Sequence, residues 1–306
     1  MPPLAALILD WVMTACWPII GASGMAYFSG LLFTTAGLLL GVVALSPWLA
    51  ARGRWKTLLD RRTGPAMLGM GFFSGAATAI FISALRYTTP ANAAIMAQVE
   101  VLYSALLCAF FLGESITQAQ AAASALVIAG TGLIMLHDLS SPRWKGDLMI
   151  LATPWMFQVS HMLSKRLPAE LDSLSLAGGR AVYGIVAMAP FCWYSLRHGG
   201  RWSWRPQALQ VLAVQGLLMS SINFVVWYRA IRNMDLSKAT AFILSYPALT
   251  LFFSWALGRE RVSGTQVLGL LVTLAGATWM SLLVLRAQDA RQPRFLPETP
   301  GTDLVP

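Results

Sequence analysis

ALRYTTPANAAIMAQVEVLYSALLCAFFLGE, residues 84–114, and AIRNMDLSKATAFILSYPALTLFFSWALGRE, residues 230–260, are two copies of one pattern. An offset of 146 residues superposes them without a gap: Ala84, Leu85 and Arg86 fall on Ala230, Ile231 and Arg232, Ala93 on Ala239, and Glu114 on Glu260. Beyond the quoted stretch, Gln120 falls on Gln266 and Gly130 on Gly276. Apolar helices resemble one another by chance, but chance does not keep charged residues and glycines in register, so the chain reads as an internal duplication. Working outward, Gly53, Arg54 and Trp55 recur as Gly200, Arg201 and Trp202, and an offset of 144 sets Thr14 and Trp17 against Gln158 and His161.

Composition says where such a chain lives. Of 306 residues 57% are hydrophobic and 11% charged, against about 25% charged in an ordinary soluble domain. No Asp, Glu, Lys or Arg occurs from Trp11 to Ala51, Thr63 to Leu85, Ser115 to His137 or Pro206 to Tyr228. A spanning helix needs about 20 apolar residues, so the first of these runs holds two, with a turn expected near Gly21, Ser23 and Gly24. The pattern predicts ten transmembrane helices, near 3–22, 25–49, 65–86, 91–112, 117–137, 147–165, 174–195, 207–228, 237–257 and 263–285. The first lacks a basic lead-in and a small-residue cleavage site, and is expected to stay as a helix rather than act as a signal peptide.

The fold class expected is therefore an all-α polytopic membrane protein with a first five-helix repeat over 1–138, a second over 139–286, and a polar, Pro-rich flexible tail over 287–306. Five is odd, so the second copy enters the membrane in the opposite sense. Inverted repeats give two near-equivalent conformations, one open to each side, around a site near the bilayer midplane. The net charge of +9 comes from Lys and Arg in short loops, where they set membrane orientation; nucleic acid is not an expected partner. With the N-terminus inside, the cytoplasmic loops carry the larger share, Arg52 to Arg62 above all, and the basic Arg197 to Arg205 loop opposes them. Cys16, Cys108 and Cys192 lie in apolar segments without CxxC spacing, which suggests neither a metal site nor a disulfide framework.

The segment Ala84–Glu114 and its copy resemble the core signature of the EamA-type transporters of the drug/metabolite transporter superfamily. Glu100, Gly113 and Glu114 match that signature in the first repeat; Pro247, Gly258 and Glu260 match in the second, with Arg259 interposed. Val101 stands where the family often has Pro, and Gly30 where the copy carries Arg180. The resemblance covers essentially the whole chain. It implies ten helices, both termini cytoplasmic in a bacterial inner membrane, and export of small metabolites such as amino acids, often coupled to protons.

Candidate functional residues follow from the cost of polarity in lipid. A charged side chain at mid-span costs about 2.5–3.5 kcal/mol on insertion scales, so Glu100 is the leading candidate. Asn92, Met96, Glu100 and Tyr103 follow helical spacing along the fourth helix, and Phe242, Tyr246 and Leu249 form the matching face of the ninth; both faces are expected to line one central cavity. Trp155, Gln158 and His161 recur every third residue on the sixth helix, and Trp17, Thr14 and Asp10 share a face of the first. Asp10 is expected nearer a membrane surface. Ser220, Asn223 and Trp227 stripe the eighth helix, where the Asn amide could hold a substrate carboxylate or a neighbouring backbone. Arg180, near the start of the seventh, is expected to snorkel to the interface. Substrate or coupling roles thus fall to Glu100, Tyr103, Asn92, Gln158, His161, Trp155, Tyr246, Asn223, Trp227 and Trp17, the alternative for each being a helix-to-helix hydrogen bond that fixes packing.

Other function classes fit less well. Gly21, Ala22, Ser23 and Gly24 spell the GxSG of rhomboid-type proteases, with His161 as a conceivable base, but Ser23 falls at an expected surface turn and there is no HExxH or Walker loop. No enzyme activity, metal or cofactor is expected. Within the same fold a passive channel, a multidrug carrier and a lipid-headgroup carrier remain open, with membrane lipids and protons as further partners. The twelve Trp residues suit aromatic solutes or interfacial belts equally.

Overall fold

The computed structural model describes residues 3–100, 102, 103, 106, 117–138, 143–168, 171–233, 243 and 245–291, and among these the chain is helical throughout, without strands. In order the helices are α1 (Pro3–Gly24), α2 (Gly30–Ala51), a short α3 (Trp55–Leu58), α4 (Gly64–Ala84), α5 (Pro90–Met96), α6 (Gln118–Asp138), α7 (Arg143–Leu151), α8 (Pro154–Arg166), α9 (Ser173–Arg197), α10 (Pro206–Val214), α11 (Asn223–Asn233), α12 (Tyr246–Ala256) and α13 (Gly264–Arg291). A 3-10 turn, Ala97–Val99, follows α5, and a π-helical stretch, Gln215–Ile222, joins α10 to α11 without a break. Among the described residues, six stretches are long and apolar enough to cross a bilayer: Ala5–Gly24, Gly30–Ala51, Gly64–Ala84, Ser173–Arg197, Pro206–Ala230 and Gly264–Leu283.

Local chemistry explains where the elements begin and end. The first turn comes later than expected: α1 continues through Gly24 and the chain reverses over Met25–Ser29. Pro18 sits inside α1, and Thr250 Oγ1 of α12 donates to the Ala15 carbonyl at 2.9 Å in the turn that Pro18 loosens. The expected sixth helix is two pieces, because α7 ends at Leu151 and Pro154, which has no N–H to give, restarts the chain as α8. Of the expected fourth and ninth helices, much of 101–116 and of 234–244 lies outside the described residues, as does the expected tail beyond Arg291.

Local backbone features recur at intervals of 146 residues. α2 and α9 both end on a left-handed glycine, Gly53 (φ 62°) and Gly199 (φ 79°). In each case the next residue's N–H reaches back five positions, Arg54 to Leu49 O at 2.9 Å and Gly200 to Ser195 O at 2.7 Å. The equivalent of Gly53 is thus Gly199 rather than Gly200. At the starts of α6 and α13 the same capping box recurs: Thr117 N–H donates to Gln120 Oε1 at 2.8 Å and Ser263 N–H to Gln266 Oε1 at 3.0 Å, while Gln120 and Gln266 N–H donate back to the two hydroxyls.

Packing follows the same scheme. α6 and α13 run antiparallel in close contact, and their glycines allow it: a methyl on Gly276 would lie 2.8 Å from Ala123 O and Val127 N, while one on Gly130 would collide with Thr273 and sit 2.8 Å from Gly269 O. Those partners are themselves 146 residues apart, Ala123 with Gly269 and Val127 with Thr273, so each helix makes to the other the contact it receives. α4 and α9 meet where Gly71 abuts the Gly184 backbone, and α2 meets the π-helical stretch where Gly41 would place a methyl 3.1 Å from Ser220 O.

Candidate functional site

α1, α2, α4, α8, α9 and the Gln215–Asn233 run surround a cavity of about 160 Å³, closed on its remaining side by the turn after α5 and the start of α12. Its polar lining is unusual for lipid-embedded helices: Asp10, Thr34, Glu100, His161, Arg180, Gln215, Ser220 and Asn223 face it, among Trp17, Phe81, Phe157, Phe224 and Trp227.

Of the residues expected from sequence, Glu100, His161, Tyr246, Asn223, Trp227 and Trp17 border this cavity. Gln158 stands behind it, its Nε2 donating to Glu100 Oε1 at 2.6 Å. Three lie elsewhere. Asn92 is 1% exposed and accepts from Gln266 Nε2 at 2.8 Å, so it ties α5 to α13. Tyr103 Oη donates to the Leu151 carbonyl at 3.1 Å. Trp155, 39% exposed, stands edge-on to Phe73 on the outer surface, since Gln158 and His161 take up the inward arc of α8. The expected single face of Asn92, Met96, Glu100 and Tyr103 does not form, because the 3-10 turn at Ala97–Val99 changes the angular step between Met96 and Glu100.

Two aromatic pairs face each other from the two halves. Trp17 of α1 stacks on Phe81 of α4, centroids 4.4 Å apart, and His161 of α8 lies 5.4 Å from Trp227 of α11. Phe81 and Trp227 are 146 residues apart and Trp17 and His161 144, so one pair is the copy of the other. Trp227 Nε1–H points at His161 Nδ1 at 3.4 Å, which leaves Nε2 to carry the proton of a neutral ring. Glu100 and Tyr246 are likewise 146 apart and share the cavity.

Arg180 overturns an expectation. It does not snorkel: it is 2% exposed, its Cζ lies 3.1 Å from the Phe224 ring centre, and Nη1 donates to Ser74 Oγ at 2.8 Å. Nη2 reaches Ser220 O at 3.4 Å. Gly71 and Gly184, which bring α4 and α9 into backbone contact one turn away, hold it inside. Asp10, at 2% exposed, also lies in the cavity wall rather than at a surface. The offset that sets Gly53 against Gly199 also places Arg180 opposite Thr34 rather than Gly30. Sequence offered one clue for Arg180, a charge within an apolar run; Thr34 and Gln215 offered none, because isolated Thr and Gln are common in spanning helices.

The GxSG serine is not part of this site. Ser23 Oγ donates to Ile19 O at 2.8 Å and accepts from Arg259 Nη1 at 2.7 Å, so its hydroxyl is engaged at the end of α1. Among the described residues no group of three His, Cys, Asp or Glu is arranged to hold a metal ion.

A helical membrane chain around a polar, aromatic-walled cavity has the means to hold a small solute away from lipid. The profile of the EamA-like transporter family matches residues 1–136 and again 144–282. The chain belongs to the EamA-like transporter family. An uncharacterized EamA relative from Archaeoglobus fulgidus, named only as a transporter, is 25% identical over 239 residues, 76% of this chain and 82% of its own. A probable terminal-alkyne amino-acid exporter of Streptantibioticus cattleyicolor is 30% identical over 167 residues, 54% of this chain and 55% of the relative. A solved crystal structure shares the fold at 21% identity, with a TM-score of 0.66 over 94% of this chain and 98% of the other. As an EamA-like transporter, the protein is an integral membrane protein that moves a small molecule across the bilayer.

Proposed function

We propose that this EamA-like transporter is a secondary active exporter of small metabolites, amino acids foremost, that works by alternating access in a bacterial inner membrane. In this reading ten helices form two inverted five-helix repeats with both termini in the cytoplasm, and rocking of the repeats exposes the cavity to each side in turn. One observation carries the proposal: the cavity is walled by duplicate residues from both halves, Glu100 with Tyr246 and the Trp17–Phe81 pair with His161–Trp227. The reciprocal antiparallel contact of α6 and α13 supports the inverted arrangement. Similarity to a probable amino-acid exporter favours amino acids as cargo.

Glu100 is the proton-coupling group of this scheme. It is the one carboxylate of the second half of the first repeat that reaches the cavity among the described residues, and protonation there competes with a substrate amine for the same oxygens. The test is uptake of labelled amino acids into proteoliposomes with and without an imposed pH gradient, for the wild type and Glu100→Gln. Saturable uptake that follows the gradient, and loses that response in the variant, is the expected result. Gradient-independent uptake in both forms would make the protein a facilitator and Glu100 a packing residue. Flux of drugs or lipid headgroups without amino-acid flux would replace the cargo class.

A further inference from the structure

We infer that Arg180 anchors the carboxylate of the transported solute, so that the cavity selects a small amino acid by its acid end. The inference rests on the carrier reading above and adds the chemistry of recognition. Arg180 is buried, and among the described residues no Asp or Glu comes within 4.0 Å of its guanidinium. A buried cation without a counter-ion is costly, and proteins pair such a charge or neutralise it. What Arg180 has instead is partial compensation: one serine hydroxyl, one long contact to a carbonyl, and the face of Phe224. Its Nε–H has no hydrogen-bond partner and its side chain borders the cavity.

Three more cavity-lining residues hold buried polar atoms without a protein partner: Thr34 Oγ1, Gln215 Oε1 and Asn223 Oδ1. Buried polar atoms are almost always satisfied, so four such atoms around one space point to a guest that supplies both donors and acceptors. A carboxylate satisfies Arg180 with charge-assisted hydrogen bonds. The opposite charge of a zwitterion then has Asp10 and Glu100, both on the cavity wall. Asp10 has no hydrogen bond or ion pair among the described residues, which leaves it open to an ammonium group.

Size narrows the class. A cavity of about 160 Å³ is close to the roughly 150 Å³ that accommodates benzene in an engineered apolar cavity. That suits an amino acid with a short aliphatic side chain, such as valine or leucine, and leaves out tryptophan. The aromatic rings and Leu38, Met219 and Ile243 offer that side chain an apolar bed.

The test uses the full chain in nanodiscs and in proteoliposomes. L-valine and L-leucine are compared with their amides and with isobutylamine and isopentylamine, which keep amine and side chain but lack the carboxylate. In the wild type, acid should bind more tightly than amide or amine by about 10- to 100-fold, the range of a hydrogen bond to a charged group. In Arg180→Gln the three should become equivalent, while Arg180→Lys recovers part of the preference. The ligand comparison in the wild type needs no variant, so it decides the matter even where a substitution prevents folding. Amides or amines bound as well as the acids, or an acid preference that survives in Arg180→Gln, would overturn the assignment. Carboxylate-free amines carried in place of amino acids would overturn this inference and leave the carrier intact, whereas no flux of any solute would remove the carrier reading itself.

Discussion

Gln158 Nε2 donates to Glu100 Oε1 at 2.6 Å, and the bond joins the turn after α5 to α8 directly behind the cavity. A hydrogen bond to a charged group is worth about 1.5–3 kcal/mol, and in the proposed scheme Gln158, which does not border the cavity, positions the Glu100 carboxylate. Gln158→Leu should lower gradient-driven uptake by about ten-fold or more while leaving the protein folded, and Gln158→Asn should fall between the two. Uptake kinetics in proteoliposomes, read beside melting of the same preparations, separates a coupling defect from a folding defect. Wild-type uptake in Gln158→Leu would show that the bond has no bearing on transport.

Gly130 and Gly276 face the backbone of the opposite helix, so added carbon has nowhere to go. Gly130→Val and Gly276→Val should each destabilise by about 1–3 kcal/mol or more, the usual cost of overpacking. Because the contacts are reciprocal, the two variants should melt at similar temperatures in detergent. Gly132, which has no atom within 4 Å of a Cβ position, is the control and should tolerate Val with little loss.

Ser263 and Gln266 form one capping box, yet they are not equal. Ser263→Ala removes a cap, a cost of about 1 kcal/mol. Gln266→Ala removes the reciprocal half and also the 2.8 Å bond to Asn92 and the 3.5 Å contact to Glu260. Glu260 in turn accepts from the Ala91 N–H at the start of α5. Thermal melting should therefore rank Gln266→Ala as the more damaging, and the reverse order would show that α5 does not depend on α13 for its seat.

Asp172 caps α9 by accepting from the Ser175 N–H at 2.8 Å and faces Arg54 at 3.4 Å and Arg52 at 3.7 Å. Burial works against its charge, but the hydrogen bonds from Ser175 and the guanidinium groups of Arg54 and Arg52 outweigh it and hold its carboxyl below the usual carboxylate range. A depressed folded-state value means that its stabilisation is complete above the unfolded-chain value of about 3.9 and is lost as pH falls through the lower folded value. Melting curves from pH 6 down to pH 2.5 should show that loss in the wild type. Asp172→Asn keeps the cap and should flatten this part of the curve; an unchanged acid limb in the variant would assign it to other carboxylates.

The membrane setting and the recurrence of helix-end features at 146 residues were legible because they rest on signals that survive without tertiary context. Charge-free runs report lipid, and Glu114/Glu260, Gln120/Gln266 and Gly130/Gly276 hold register at helix ends and crossings. The site was legible only in part. Periodicity assumes a uniform helix, and it failed for Asn92 and Tyr103 where the chain tightens at Ala97–Val99, and at Trp155, next to the Pro154 that restarts α8. Arg180 was misplaced for another reason: whether a long cation bends toward water or inward depends on the Gly71–Gly184 contact and on Ser74, which lies 106 residues away in sequence. The break at Ala152–Thr153 was marked only by Pro154, and the π-helical stretch at Gln215–Ile222 left no mark in composition at all.

The α6–α13 contact has the geometry of an isologous dimer interface, in which residue i meets j and the equivalent of j meets the equivalent of i. Here both partners are on one chain. The face built by Ala123, Val127 and Gly130 therefore meets Gly269, Thr273 and Gly276, the residues 146 positions further along the same chain. The two crossings are thus a matched pair on one chain, and the seam keeps its register only while Gly130 and Gly276 both stay without a side chain.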